Sequence, residues 1–216
     1  MLVYAHRGYH AKVPQNTLAS FESAVALGAD GIETDVRLSA DGIPILFHDR
    51  CTRTGIEVSR LTHADLERVV GYSVPTLDSA LAQGEKVMWN LEIKTQSAVE
   101  ATLTILRRYH SARRFLVTSF LHPVVYEIVK LLDVEAGLLF AHLPADTEDF
   151  CPRDKNDPRI TTLVWDYEAC SNKLVARAAE HGYKNLVYGP ITPSEHKEAS
   201  SWMIEGVITD YPQLVK

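Results

Sequence analysis

Short β-branched runs alternate with helix-periodic stretches from one end of this chain to the other, and that alternation constrains the fold more than any other feature. Apolar runs of strand length occupy 2–6, 31–37, 87–93, 115–119, 135–140, 162–166, 185–189 and 206–209. Amphipathic stretches fill most of the gaps, at 17–27, 76–83, 98–109, 123–132, 172–181 and 193–203. Strands separated by helices argue for parallel βα units. Within 216 residues, eight such units close most economically into a TIM (β/α)8 barrel. An open doubly wound sheet is the alternative, but the glycine-rich first turn that a dinucleotide needs is missing. Two places break the pattern. Asp41-Gly42 between apolar runs is a hairpin signal, so 43–47 should return antiparallel to the second strand. The segment 49–75 then reads as a small inserted subdomain with its own hairpin or helix at 61–70, and 143–159, rich in Pro and Asp, as a loop or distorted helix. No repeat or linker divides the chain, so 1–216 is expected to form one domain.

Composition narrows the function. Apolar residues are 46% of the chain, enough for a sizeable core, and 22 Lys plus Arg against 28 Asp plus Glu give a net charge of −6. With no basic stripe, nucleic acid is not an expected partner. No apolar run approaches the roughly 20 residues of a membrane span, and His6 and Arg7 interrupt any leader-like start. Cys51, Cys151 and Cys170 have neither disulfide nor metal-ligand spacing. They read as thiols of a reducing, cytoplasmic setting.

The chemistry collects at strand ends. In Ile32-Glu33-Thr34-Asp35-Val36, Glu33 and Asp35 are two apart and share a face. Glu92 and Lys94 repeat the geometry on the next barrel strand, and neighbouring strands lie roughly 4.8 Å apart. Two adjacent carboxylates repel by about 4 kcal/mol at an effective dielectric near 20, so they must share a proton, meet a cation or face water. An exterior solvated face is the bland alternative, but both segments are strongly apolar and belong to a fold whose exterior is covered by helices. Three carboxylates without a soft ligand describe a site for a hard cation such as Mg²⁺, Ca²⁺ or Mn²⁺. His6 and His48 each close an apolar run where a barrel strand delivers side chains to its catalytic face. Imidazoles there suit general acid–base work, and Arg7 offers a planar fork to phosphate oxygens. Together these residues point to phosphate ester chemistry, with the cation needed to keep three carboxylates from repelling an anionic substrate.

The ordered motifs resemble those of the glycerophosphodiester phosphodiesterase family: Ala5-His6-Arg7-Gly8, Pro14-Gln15-Asn16-Thr17, Gly28 through Val36, Asp41-Gly42, His48-Asp49, Pro75-Thr76-Leu77, Glu92-Ile93-Lys94, Ser119-Phe120 and Gly206 through Pro212. The resemblance implies a TIM barrel with an insertion after the second strand. It also implies hydrolysis of a small-molecule glycerophosphodiester to sn-glycerol 3-phosphate and an alcohol. Carried over by position, Glu33, Asp35 and Glu92 would bind Mg²⁺ or Ca²⁺, and His6 and His48 would be the acid–base pair. Arg7 and Lys94 would contact phosphate, with Gln15, Ser119, Phe120 and Tyr188 lining the substrate site. The glycerol 2-hydroxyl would act as nucleophile, giving a cyclic phosphate that water opens. This chain departs from the family at Gln15, usually Glu, and at Val187-Tyr188-Gly189-Pro190-Ile191, where a Trp is common. Asp210 is expected to cap backbone, Trp89 and Trp165 to pack in the core, and the other seven histidines to be ordinary. Two rival readings are a phospholipase D of the sphingomyelinase-toxin type and a degenerate barrel that binds a phosphorylated ligand. Head group and oligomeric state are not encoded in these motifs.

Overall fold

The protein was analysed as a computed structural model that describes residues 1–83, 87–143 and 157–215. Nine strands form one sheet: β1 (Leu2–His6), β2 (Gly31–Leu38), β3 (Pro44–Leu46), β4 (Met88–Ile93), β5 (Arg114–Ser119), β6 (Glu135–Phe140), β7 (Ile160–Asp166), β8 (Lys184–Tyr188) and β9 (Gly206–Thr209). The order β1-β9-β8-β7-β6-β5-β4-β2 closes on itself through a parallel β1–β2 pairing. The result is a closed eight-stranded parallel barrel, the TIM architecture expected from the alternation. β3 pairs antiparallel with β2, Val36 opposite Leu46, and stands outside the barrel as the Asp41-Gly42 turn requires.

The helices are α1 (Leu18–Ala26), α2 (His63–Val70), α3 (Leu77–Gln83), α4 (Val99–Tyr109), α5 (His122–Leu131), α6 (Asn172–Glu180) and α7 (Pro193–Ser200). Their starts are chemically marked. Thr17 and Thr192 close capping boxes with Ser20 and Glu195, while Thr62 and Ser171 cap α2 and α6. Gly71, at φ 78°, ends α2 in the left-handed region. α7 stops at Ser200, short of the expected 203, because the chain there turns into β9, with Trp202 N–H bonding Ala199 O. Most of 143–159, including Cys151, lies outside the described residues.

Strand alternation sorts the core into two shells. Tyr4, Leu116, Leu139, Val164, Leu186 and Ile208 form one cluster although they come from six strands. Residues of that many strands meet only inside the closed barrel. Their neighbours Ala5, Leu91, Ile93 and Val117 point outward and pack on Phe21, Leu77, Leu103, Leu106 and Ile128 of the helices. Trp89 belongs to this outer shell, edge-on to Phe21 at 5.3 Å, and Trp165 to a second helix-facing cluster. Gly31 has no side chain because the Tyr4 ring occupies that volume; a Cβ there would lie 2.4 Å from Tyr4 Cδ1. The segment after β3 packs its own apolar cluster of Ile45, Phe47, Val58, Leu66 and Val74. All the barrel strands run the same way, so His6, Asp35, Ser119 and Tyr188 stand toward one rim.

Candidate active site

The rim after β1 is shaped by backbone in the left-handed region. Arg7 has φ 56° and Gly8 φ 76°, and the turn lets the Arg7 carbonyl accept from both Asn16 N–H and Ser20 Oγ, each at 2.9 Å. A Cβ on Gly8 would sit 2.4 Å from Ser20 Oγ. Asn16, also at φ 56°, reaches across to β2: its Nδ2 donates to Asp35 Oδ2 at 2.8 Å and its Oδ1 accepts from Thr34 Oγ1 at 2.6 Å. The start of α1 thereby fixes one of the acidic side chains.

Glu33, Asp35 and Glu92 converge as their spacing suggests. All three are buried, and one oxygen from each lies within 4.8 Å of the other two. Asp35 pairs in register with Glu92, and Glu33 with Asn90. Lys94 Nζ stands 2.7 Å from Glu92 Oε1 and 3.3 Å from Asp35 Oδ1, and Arg7 Nε stands 3.3 Å from Asp35 Oδ2. Burial, reinforced by the charges of Asp35 and Glu92, raises the Glu33 pKa well above the ordinary carboxylate value. Glu92 is raised by burial and Asp35. Asp35 is lowered: burial opposes, but Lys94, Arg7 and His48 outweigh it. Asp35 Oδ1 accepts no hydrogen bond, since Lys94 approaches without the geometry for one. A buried bare carboxylate oxygen within an all-oxygen trio is what a hard divalent cation fits.

Two imidazoles flank the trio, each held by a carboxylate. Asp210 Oδ1 lies 2.7 Å from His6 Nδ1, and His6 Nε2 faces Glu33 Oε2 at 3.8 Å. Asp49 Oδ1 lies 2.8 Å from His48 Nδ1. A carboxylate acceptor places the proton on Nδ1 and frees Nε2 in both rings. Burial lowers the His48 pKa, with Asp35 and the Asp49 bond opposing and Arg7 and Lys94 reinforcing. Asp210 also accepts from His10 Nε2 at 3.0 Å. Burial would raise its pKa, but these two hydrogen bonds hold it well below the usual range. The expected backbone-capping role of Asp210 is thus corrected, and His10 is not an ordinary histidine. Thr209 Oγ1 accepts from Tyr211 N–H instead.

His6, Arg7, Glu33, His48, Glu92 and Lys94 line one cavity of about 230 Å³, together with Phe120 and Tyr188. Those two rings meet edge-on at 6.1 Å, and Lys94 Nζ lies 5.9 Å from the Phe120 centroid. Two expected lining residues stand elsewhere. Ser119 is buried with its hydroxyl donating to Ile93 O at 2.7 Å and accepting from Leu121 N–H. Gln15 Oε1 accepts from Arg7 at 3.0 Å, and Gln15 lines a neighbouring 540 Å³ cavity against the insertion, with Phe47, Arg53, Val70 and Tyr72. Asn16, Asp49, Asp210 and His10 were missed as site residues, although three of them lie inside quoted motifs.

The model of the glycerophosphoryl diester phosphodiesterase family matches residues 6–214. The chain belongs to this family. A Mycobacterium tuberculosis protein named probable glycerophosphodiester phosphodiesterase 2 is 35% identical over 127 residues, which cover 55% of this chain and 48% of that protein. A Caldanaerobacter subterraneus glycerophosphodiester phosphodiesterase is 32% identical over 64% of this chain and 66% of its own length. The chain therefore spans about half of the first relative and about two thirds of the second. Among solved structures, a glycerophosphodiester phosphodiesterase from Thermotoga maritima superposes with a TM-score of 0.87 at 27% identity, covering 99% of this chain and 96% of that one. An Oleispira antarctica phosphodiesterase, solved in complex with the product sn-glycerol-3-phosphate, gives a TM-score of 0.85 at 25% identity over 99% and 94%. Both share the phosphodiesterase barrel end to end.

Proposed function

We propose that this chain hydrolyses glycerophosphodiesters to sn-glycerol 3-phosphate and an alcohol, using a divalent cation and the His6/His48 pair. The observation that carries the reading is the convergence of Glu33, Asp35 and Glu92 between two carboxylate-held imidazoles. Membership of the family and the product seen in the Oleispira relative support the substrate class. Glu33, Asp35 and Glu92 would hold Mg²⁺ or Ca²⁺, which when bound would neutralise phosphoryl oxygens. Arg7 and Lys94 supply the remaining positive charge toward a phosphate at the rim. Gln15 acts through Arg7, whose guanidinium it holds. His48, lowered by burial, is neutral at physiological pH and suited to take the proton of the glycerol 2-hydroxyl as it attacks phosphorus. His6, entering the step with a proton on Nε2 as well as on the Nδ1 held by Asp210, passes the Nε2 proton to the departing alcohol, and the two rings exchange duties when water opens the cyclic phosphate. Phe120 and Tyr188 wall the cavity, while Ser119 ties the β5 end to β4.

Cys51 and Cys170 are free thiols, which supports a cytoplasmic setting; no helix among the described residues is long and apolar enough to cross a membrane. The test is release of sn-glycerol 3-phosphate from glycerophosphocholine, with and without EDTA and with His6→Ala. Turnover that ignores EDTA, or survives His6→Ala unchanged, rejects the mechanism. Choline release with a cyclic phosphate as sole product favours the toxin-like reading, and binding without turnover under any divalent cation the degenerate one.

A further inference from the structure

Below Glu92 the cavity holds a donor that none of this chemistry uses. Asn90 precedes Glu92 by two residues on β4, faces the same way and sits beside Glu33 in register. It is 1% exposed. Thr118 Oγ1 donates to Asn90 Oδ1 at 2.7 Å, which orients the amide. Asn90 Nδ2 is then left with no acceptor among the described residues. Buried amide donors are almost always satisfied, so an unmatched one calls for an absent partner. Asn90 and Thr118 both line the cavity, and the partner must therefore come from what enters it.

The surroundings narrow its chemistry. Leu139 and Ile208 also line this cavity, with the Tyr188 ring. The site thus has an amide and carboxylates on some strands and hydrocarbon on others. The phosphate belongs at the rim, where Arg7 and Lys94 stand, while Asn90 lies two residues before Glu92 on the strand and is left to another part of the ligand. A quaternary ammonium has no atom that accepts a hydrogen bond. A hydroxyl satisfies both demands: its oxygen accepts from Nδ2 and its proton turns to a carboxylate. We infer that Asn90 binds the terminal hydroxyl of the glycerol moiety, so that the glycerol end of the diester fills the buried part of the cavity and the alcohol end faces out. This rests on the phosphodiesterase reading and adds the residue that recognises its polyol. A ligand lacking that hydroxyl leaves Nδ2 bare, so discrimination follows from the unpaired group.

Calorimetry on the intact protein with saturating Mg²⁺ or Ca²⁺ tests this without turnover. Two probes are titrated, sn-glycerol 3-phosphate and propane-1,2-diol 1-phosphate, which lacks the terminal hydroxyl. The wild type should bind the first about tenfold more tightly. Asn90→Ala should bring the two affinities together while leaving cation affinity unchanged. Thr118→Val, which removes only the group orienting the amide, should shrink the preference in part and serves if Asn90→Ala does not fold. Equal binding of both probes by the wild type overturns the inference, as does a preference that persists in Asn90→Ala. Weakened cation binding in that variant overturns it too, since Asn90 would then be positioning Glu33. Should the wild type show the preference yet release no sn-glycerol 3-phosphate from glycerophosphocholine, the hydrolytic reading fails and the hydroxyl site stands.

Discussion

Replacing Glu33 with Gln should stabilise the cation-free protein and abolish its response to cations. Lys94 sits on Asp35 and Glu92, and Arg7 Nε on Asp35. Among the described residues, Glu33 meets the Arg7 backbone amide at 3.2 Å and His6 at 3.8 Å, with the Arg7 charge acting from further off. It is the carboxylate whose charge is least compensated, in agreement with its raised pKa. One carboxylate pair within 4.8 Å repels by at least about 3.5 kcal/mol at an effective dielectric of 20. Lys94 and Arg7 cancel part of the repulsion, so neutralising Glu33 should return about 1–3 kcal/mol. In a chain of this size that corresponds to a Tm increase of about 2–12 °C.

The pH dependence has a definite sign. An unfolded Glu titrates near 4.3, and folded Glu33 keeps its proton to higher pH. The native state then binds more protons, and stability falls as pH rises through the folded pKa. In EDTA, wild type and Glu33→Gln should melt together below about pH 4 and separate above it, with the wild type less stable. Saturating Mg²⁺ or Ca²⁺ should reverse the order, because only the wild type keeps all three ligands and gains stability by mass action. Circular-dichroism melts from acid to neutral pH, in EDTA and in cation, measure both effects. A variant that is less stable than wild type in EDTA at neutral pH, or that gains as much from the cation, refutes the reasoning.

Asp210→Asn removes the charge behind His6 and should lower kcat by about 10- to 100-fold with little change in KM, read by steady-state hydrolysis of glycerophosphocholine. Asp49→Asn takes the charge out of the hydrogen bond that raises the His48 pKa, so the acid limb of the kcat/KM profile should move to lower pH; a move upward contradicts the assignment. Gly31→Ala drives a methyl to 2.4 Å from the Tyr4 ring and 2.8 Å from the Met88 carbonyl. Thermal denaturation should register a loss of about 1–3 kcal/mol.

Much of the barrel was legible because it depends on a period of two. On β4, Asn90 and Glu92 face in while Trp89, Leu91 and Ile93 face out, and that alternation brought the acidic trio together before any coordinates. The same rule also separates Ser119 from its neighbours. Thr118 and Phe120 share the inward parity of β5, so Ser119 between them could not also face the cavity. Asp210 is a different case. It meets His6 across 204 residues, because barrel closure sets the end of β9 beside the end of β1, and no local spacing expresses that contact. Asn16 was hidden for a third reason: its reach to Asp35 depends on a left-handed backbone that a non-glycine residue rarely advertises.

The charge placement also orders events at the rim. With Glu33 ionised, three carboxylates and the cations Lys94 and Arg7 sum to −1, and the apolar layer of Tyr4, Leu116 and Leu186 keeps water from screening them from below. An anionic ligand approaching that cluster would be repelled. A divalent ion held by the carboxylates would change the local sum to +1. By competing for Asp35 and Glu92 it would also loosen their hold on Lys94, leaving the ammonium available to phosphate. On the proposed reading, the arrangement that makes the cation-free protein less stable would favour cation before substrate, with Lys94 kept near the rim for an incoming phosphate.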